Sequence, residues 1–111
     1  MVVAWQKVVR QFRWQATVDG VLAALQGADS NRLRTDVDNA IRRAEQIVSR
    51  SEPSRLQPDE TRDYRVREFR AELRNGLLKL LRDEPSNEAW REALTLLENP
   101  RLRASLHRQP V

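Results

Sequence analysis

The 111-residue sequence predicts an all-α domain, a bundle of four to five helices that run antiparallel and are joined by short loops. Three observations carry this. Apolar residues recur every three to four positions through most of the chain, the three glycines and five prolines fall mostly where those periodic runs stop, and the segments between runs are short. The length suits one compact helical domain over residues 1–111, with an aromatic and basic segment at 1–18 and a fraying tail at 108–111.

At the start of the chain, Val2, Trp5, Val8, Val9, Phe12 and Ala16 share one helical face, whereas Val18, Val21, Leu22 and Leu25 lie on a face turned by about half a revolution. The switch predicts a break near Asp19 and Gly20. Asp19 then caps a short helix over residues 20–26, which Gly27 ends in the left-handed conformation. Residues 11–19 also admit a strand, because Phe12, Trp14, Ala16 and Val18 alternate with Arg13, Gln15, Thr17 and Asp19. The helix is preferred, since the rest of the chain offers no second strand for pairing.

The clearest helix spans residues 31–50, with Leu33, Val37, Ala40, Ile41, Ala44, Ile47 and Val48 on one stripe and Asp29 or Ser30 as its cap. Arg32 with Asp36 and Asp38 with Arg42 stand four apart and can pair, each pair contributing about 0.2–0.5 kcal/mol. Pro53 and Pro58 bracket a polar loop, after which Asp59 and Glu60 complement the positive end of a long helix over residues 59–83. Val66, Phe69, Leu73, Leu77, Leu80 and Leu81 form its core stripe. Tyr64, Ala71 and Leu78 form a second stripe that predicts another neighbour. Gly76 sits on the inner edge, either admitting a close helix or tolerated on the surface. Pro85 ends this helix, and Ser86 or Asn87 opens the next, where Trp90, Ala93, Leu94 and Leu97 share a face. Asn99 and Pro100 read as the cap and first position of a last short helix reaching about His107, with Leu102 and Leu106 inward.

Composition narrows the function classes. With no cysteine the chain has no disulfide, thiol nucleophile or zinc ribbon, which suits a reducing compartment and a cytoplasmic location. A single histidine, His107, leaves no multi-histidine metal site, and no cofactor or metal is expected. Lys7, Arg10 and Arg13 interrupt the apolar character of the start, so no signal peptide or membrane span is expected. Neither a glycine-rich phosphate loop nor a nucleophile elbow is present, which points away from an enzyme. The carboxylate pairs Asp36 and Asp38, and Glu68 and Glu72, read as solvated ion-paired faces. The arginines around Glu68 and Glu72 should lower their pKa values and so work against a proton donor at neutral pH.

Twenty basic residues stand against sixteen acidic ones, and eighteen of the basic residues are arginine, as a GC-rich genome would also produce. The excess is uneven. Residues 1–27, 28–51, 52–83 and 84–111 carry net charges of +2, +1, +1 and 0. Only the N-terminal segment is one-sided. There Trp5, Phe12 and Trp14 interleave with Lys7, Arg10 and Arg13, and no acid precedes Asp19. Aromatic and arginine side chains are the enriched anchors of protein interfaces. The leading expectation is therefore a small non-catalytic adaptor or assembly subunit that contacts a protein partner or a second copy through Trp5, Lys7, Arg10, Phe12, Arg13 and Trp14. The competing use of the same stripe is burial in the bundle core. Contact with a membrane surface is a weaker reading of the same helix. Trp14 points away from Trp5 and Phe12 on an ideal helix, so it requires cover from residues 18–25 or from another molecule.

The alternative is a nucleic-acid-binding subunit of a ribonucleoprotein complex, with Arg67, Arg70 and Arg74 clustered on one side of the long helix. A third reading comes from the last helix, where His107 follows Arg101 with five residues between them. This resembles the Arg-x(4–6)-His motif of the all-helical HEPN-type ribonucleases, and the resemblance implies ribonuclease activity. It covers only this short segment and departs at Leu102, where the family's pattern usually has a polar residue. His107 alternatively caps the end of a helix.

Overall fold

The computed structural model describes residues 13–108, with side chains through Ala104. Trp5, Lys7, Arg10 and Phe12 lie outside the described residues, as do the side chains of Leu106 and His107 and the end of the tail, residues 109–111. The described chain is all-α: α1 (Gln15–Gln26), a single 3-10 turn (Ser30–Arg32), α2 (Leu33–Ser49), α3 (Arg62–Asp83), α4 (Glu88–Glu98) and α5 (Pro100–Arg108). Helices α1 to α4 all pack on one another, and α5 joins at α4.

Helix starts follow local chemistry. Thr61 Oγ1 accepts the Tyr64 N–H at 3.1 Å, and Asn87 Oδ1 accepts the Trp90 N–H at 3.0 Å. Each satisfies an amide left without a partner in the first turn, a contribution of about 1 kcal/mol. Asp29 Oδ1 accepts the Asn31 N–H and opens the 3-10 turn. Asn99 closes α4, and its carbonyl accepts the N–H groups of Leu102 and Arg103, so the chain passes directly into α5.

The core is built by Trp14, Val18, Val21 and Leu25, by Val37, Ile41, Ala44 and Val48 of α2, by Phe69, Leu73 and Leu77 of α3, and by Trp90, Ala93 and Leu96 of α4. Side chains such as Phe69, Leu73 and Ile41 are fully buried, each contributing about 1.5–3 kcal/mol from apolar transfer.

Two ion clusters fasten the ends of this core. The Arg65 guanidinium is buried at the C-terminus of α2, donating to the carbonyls of Val48 (3.3 Å) and Ser49 (3.0 Å), with Glu60 Oε1 at 3.7 Å. It satisfies carbonyls that a helix end leaves open. Arg103 of α5 donates to buried Asp38 at 2.7 Å and to Glu45 at 2.9 and 3.1 Å, which ties the last helix to α2. Burial alone would raise the Glu45 pKa, but hydrogen bonds from Arg103 and Arg70 hold it below its ordinary value. The mirror-image balance at Arg103 favours its charged form: desolvation opposes the charge and the bonds to Glu45 and Asp38 outweigh it.

Several expectations are corrected. No break occurs at Asp19 or Gly20, and no strand at residues 13–19; α1 runs unbroken through both positions, with Asp19 accepting from Gln15 one turn back. The turn lies instead at Arg13 and Trp14. Gly27 ends α1 at φ −97°, which any residue can adopt. Helix α3 begins at Arg62, not at residue 59, and the connection from α2 spans residues 50–61. In the second stripe, Tyr64, Ala71 and Leu78 are exposed, as is Ile47 at the edge of the α2 stripe.

Candidate partner-binding surface

The surface begins where the described chain begins. Arg13 reaches across to the Glu60 carboxylate with two nitrogens, at 2.7 and 3.0 Å, and a third contact runs to Glu68 at 3.5 Å. The Glu60 side chain is almost wholly buried, and it also accepts the Ser54 N–H at 3.2 Å. A single carboxylate thus joins the N-terminal junction, the α2–α3 loop and Arg65. Bidentate charge-assisted bonds of this kind are geometrically strict. The hydrogen bond from Arg13 is the main reason that Glu60 sits below the ordinary carboxyl pKa, and the same bond raises that of Arg13.

Trp14 is held beside it at three points. Its backbone N–H donates to Glu72 at 3.0 Å, its indole Nε1 donates to Glu68 at 3.2 Å, and the Arg13 guanidinium lies 4.5 Å above the ring. The ring is 8% exposed and belongs to the core. The cover that Trp14 requires is therefore supplied within the molecule. Two of the six residues expected at the interface, Arg13 and Trp14, are engaged internally, and the remaining four precede them in the chain.

Glu72 departs from expectation. Burial pushes its carboxyl up to about 7; the bond from Trp14 opposes the shift, and the negative charge of Glu68 one turn away adds to it. The charge of Arg13 also lowers the pKa, as the smallest of these influences. The lowering expected from surrounding arginines is thus outweighed at this carboxylate by burial.

Along the α2 side of α1 lies an open groove of about 580 Å³, walled by Ala16, Gly20 and Ala24 and by Ala40, Ala44 and Ile47. A Cβ added at Gly20 would meet nothing within 4 Å. Ile47, 61% exposed, stands at its edge.

The arginines of α3 are dispersed among partners. Arg70 pairs with Glu45, and Arg74 pairs with Glu98 at 3.4 Å. Arg67 is exposed and lines a depression with Arg42, Glu45, Asp63 and Arg70. Elsewhere Arg34 pairs with Glu92 at 2.6 Å and Arg42 with Asp38 at 3.5 Å. Among the described residues no set of His, Cys, Asp or Glu side chains converges as a metal site, and no helix is long and apolar enough to cross a membrane.

Comparison with family models, with curated proteins and with solved structures finds no match to this chain.

Sequence reasoning missed Glu60, Glu68 and Glu72 as partners of the N-terminal junction. A signal for Trp14 was present, because positions 14, 18, 21 and 25 continue a single helical stripe.

Proposed function

We propose that the protein is a non-catalytic helical adaptor or assembly subunit that acts through protein–protein contact, with its N-terminal aromatic and basic segment as the leading interface. The observation that carries this reading is the junction at Arg13 and Trp14. Because these two residues are fixed to Glu60, Glu68 and Glu72, the stretch that holds Trp5, Lys7, Arg10 and Phe12 is joined to the bundle at a rigid point. Rigid attachment lowers the ordering cost of binding, which is a general route to affinity. The ion pairs of α2, α3 and α4 also favour it over the nucleic-acid reading, since Arg70 and Arg74 face carboxylates that would have to be displaced before a phosphate backbone could bind. A chain without cysteine fits work in the cytoplasm.

The test is association of the intact chain, by light scattering and by affinity capture, against a Trp5→Ala/Phe12→Ala variant that leaves the core residue Trp14 in place. A partner or second copy held by the intact chain is expected to be lost from the variant. Retention at equal affinity would overturn the reading.

A further inference from the structure

We propose that the exposed face of α2 pairs two copies of this chain, antiparallel about a two-fold axis between Asn39 and Ala40, with Asp36 of each copy facing Arg43 of the other. This face is separate from the N-terminal segment, so self-association through it goes beyond the partner contact proposed above.

The charges of the face repeat at intervals of seven. Asp29, Asp36, Arg43 and Arg50 follow one another at that spacing, the two acids first and the two bases last. Seven residues make close to two helical turns, so Asp36 and Arg43 lie on the same side of α2, about 10.5 Å apart along its axis. Asp29 stands just before the 3-10 turn that leads into α2, and Arg50 is the cap residue at its far end. Reversal of direction about the midpoint of Asn39 and Ala40 exchanges position 36 with 43 and position 29 with 50, so every acid meets a base. A parallel pair in the same register would set like charge against like. Exposed ion pairs add little affinity by themselves, but they fix orientation and register, and a two-fold interface uses each of them twice.

These charges are available. Arg43 and Arg50 are exposed, and their side chains make no hydrogen bond or ion pair among the described residues. Asp36 accepts one bond, from the Asp29 N–H to Oδ2 at 3.2 Å, which leaves Oδ1 open. By contrast, Arg34, Asp38, Arg42 and Glu45, the other charged residues within α2, are all paired.

The apolar part of the face has the same symmetry. Helices α1 and α2 are joined by the short link 27–32 and run antiparallel, so the groove beside α2 has Ile47 at the end where α1 begins and Gly27 and Ala28 at the end where α1 stops. Exchange of ends carries Ile47 of each copy, 61% exposed, to the Gly27 end of the other. There is room for it there: a Cβ built on Gly27 would meet the Ala24 carbonyl oxygen at 3.8 Å, an ordinary contact. Arg32, which lies opposite Ile47 in this register, meets no like charge. Removal of Ile47 from water supplies the apolar contribution that the ion pairs do not.

Sedimentation equilibrium of the full chain over about 1 µM to 1 mM reads the dimer constant. Asp36→Arg and Arg43→Asp each place like charges at both contacts, and each is expected to weaken the dimer by about tenfold or more. The double exchange Asp36→Arg/Arg43→Asp is expected to restore the affinity of the intact chain. An equimolar mixture of the two single variants is expected to form a mixed dimer, because each contact again joins an acid to a base. Ile47→Glu, at an exposed position, is expected to weaken the dimer with unchanged circular dichroism. A chain that is monomeric over the whole range would overturn the proposal. So would a dimer indifferent to both reversals and to Ile47→Glu, or folded single variants whose lost affinity does not return in the mixture. A dimer lost in Trp5→Ala/Phe12→Ala and kept in Asp36→Arg would also overturn it, by moving self-association to the N-terminal segment. The N-terminal test is kept apart by repeating it with Asp36→Arg as the parent chain, where the association that remains is read against Trp5 and Phe12 alone.

Discussion

The backbone N–H of Trp14 donates to the Glu72 carboxylate at 3.0 Å, and this bond joins the residue that opens α1 to the middle of α3. It is made by a group whose proton affinity is raised by burial to about 7, so the two ends of the contact respond differently to pH. A carboxyl raised in the folded state binds its proton more tightly there than in the unfolded chain. Folding is then favoured by protonation, and stability falls as pH rises from the ordinary glutamate value of 4.5 towards about 7, with the loss complete above that. Glu45 and Glu60, whose values are lowered, act in the opposite sense and lose their contribution as pH falls through the acid range. The expected profile therefore peaks in mildly acidic solution. Denaturant titrations between pH 5 and pH 8 should show the decline in the intact protein, and Glu72→Gln, which keeps an acceptor for Trp14, should flatten it. An unchanged slope in the variant would assign the decline to another group.

Removal of the Asp38 carboxylate should be among the more damaging single changes. Asp38 is 2% exposed and accepts from Arg103 at 2.7 Å, so Asp38→Ala leaves a half-buried guanidinium with one fewer partner and loosens α5. Breaking a buried pair from one side costs about 2–4 kcal/mol, or roughly 10–20 °C in Tm for a domain of this size. Calorimetry checks the magnitude, and exchange of the α5 amides checks that the loss begins there.

Gly76→Ala should stabilise the protein. A Cβ at this position lies 3.6 Å from Val18 Cγ1, an ordinary contact that adds packing between α3 and α1, and the helix gains from the better propensity of alanine. The expected gain is about 0.5–1 kcal/mol, measured as a shift in the urea midpoint at constant slope.

Much of the architecture is legible in the sequence because it depends on local signals. Asn87 and Asp29 are short polar residues placed just before periodic runs, and Val37, Ile41, Phe69, Leu73 and Trp90 repeat at helical spacing. The periodicity alone places the break at the start of α1 several residues too late. Ala16 and Phe12 extend one stripe while Trp14 already begins the next, and a period of 3.6 allows both assignments over so short an overlap. The buried ion clusters were not legible at all. Glu60 and Arg65 look like any other charges in a mixed run, and only the long-range approach of Arg13 and the end of α2 makes them interior. The raised proton affinity of Glu72 has the same origin: it comes chiefly from burial in the folded chain, which no spacing rule records.

Two variants of the intact chain, compared in one binding measurement, separate the N-terminal segment from the α3 arginines as the interface. Partner association, measured by titration at fixed salt, is compared for the intact protein, for Trp5→Ala/Phe12→Ala, and for Arg67→Glu/Arg74→Glu, which reverses charge on the α3 surface without touching the N-terminal junction. The first variant is expected to lose association by about a hundredfold or more, as removal of aromatic anchors does, and the second to bind as the intact chain does. Association that survives the aromatic substitutions and is lost with the arginines would contradict the N-terminal interface.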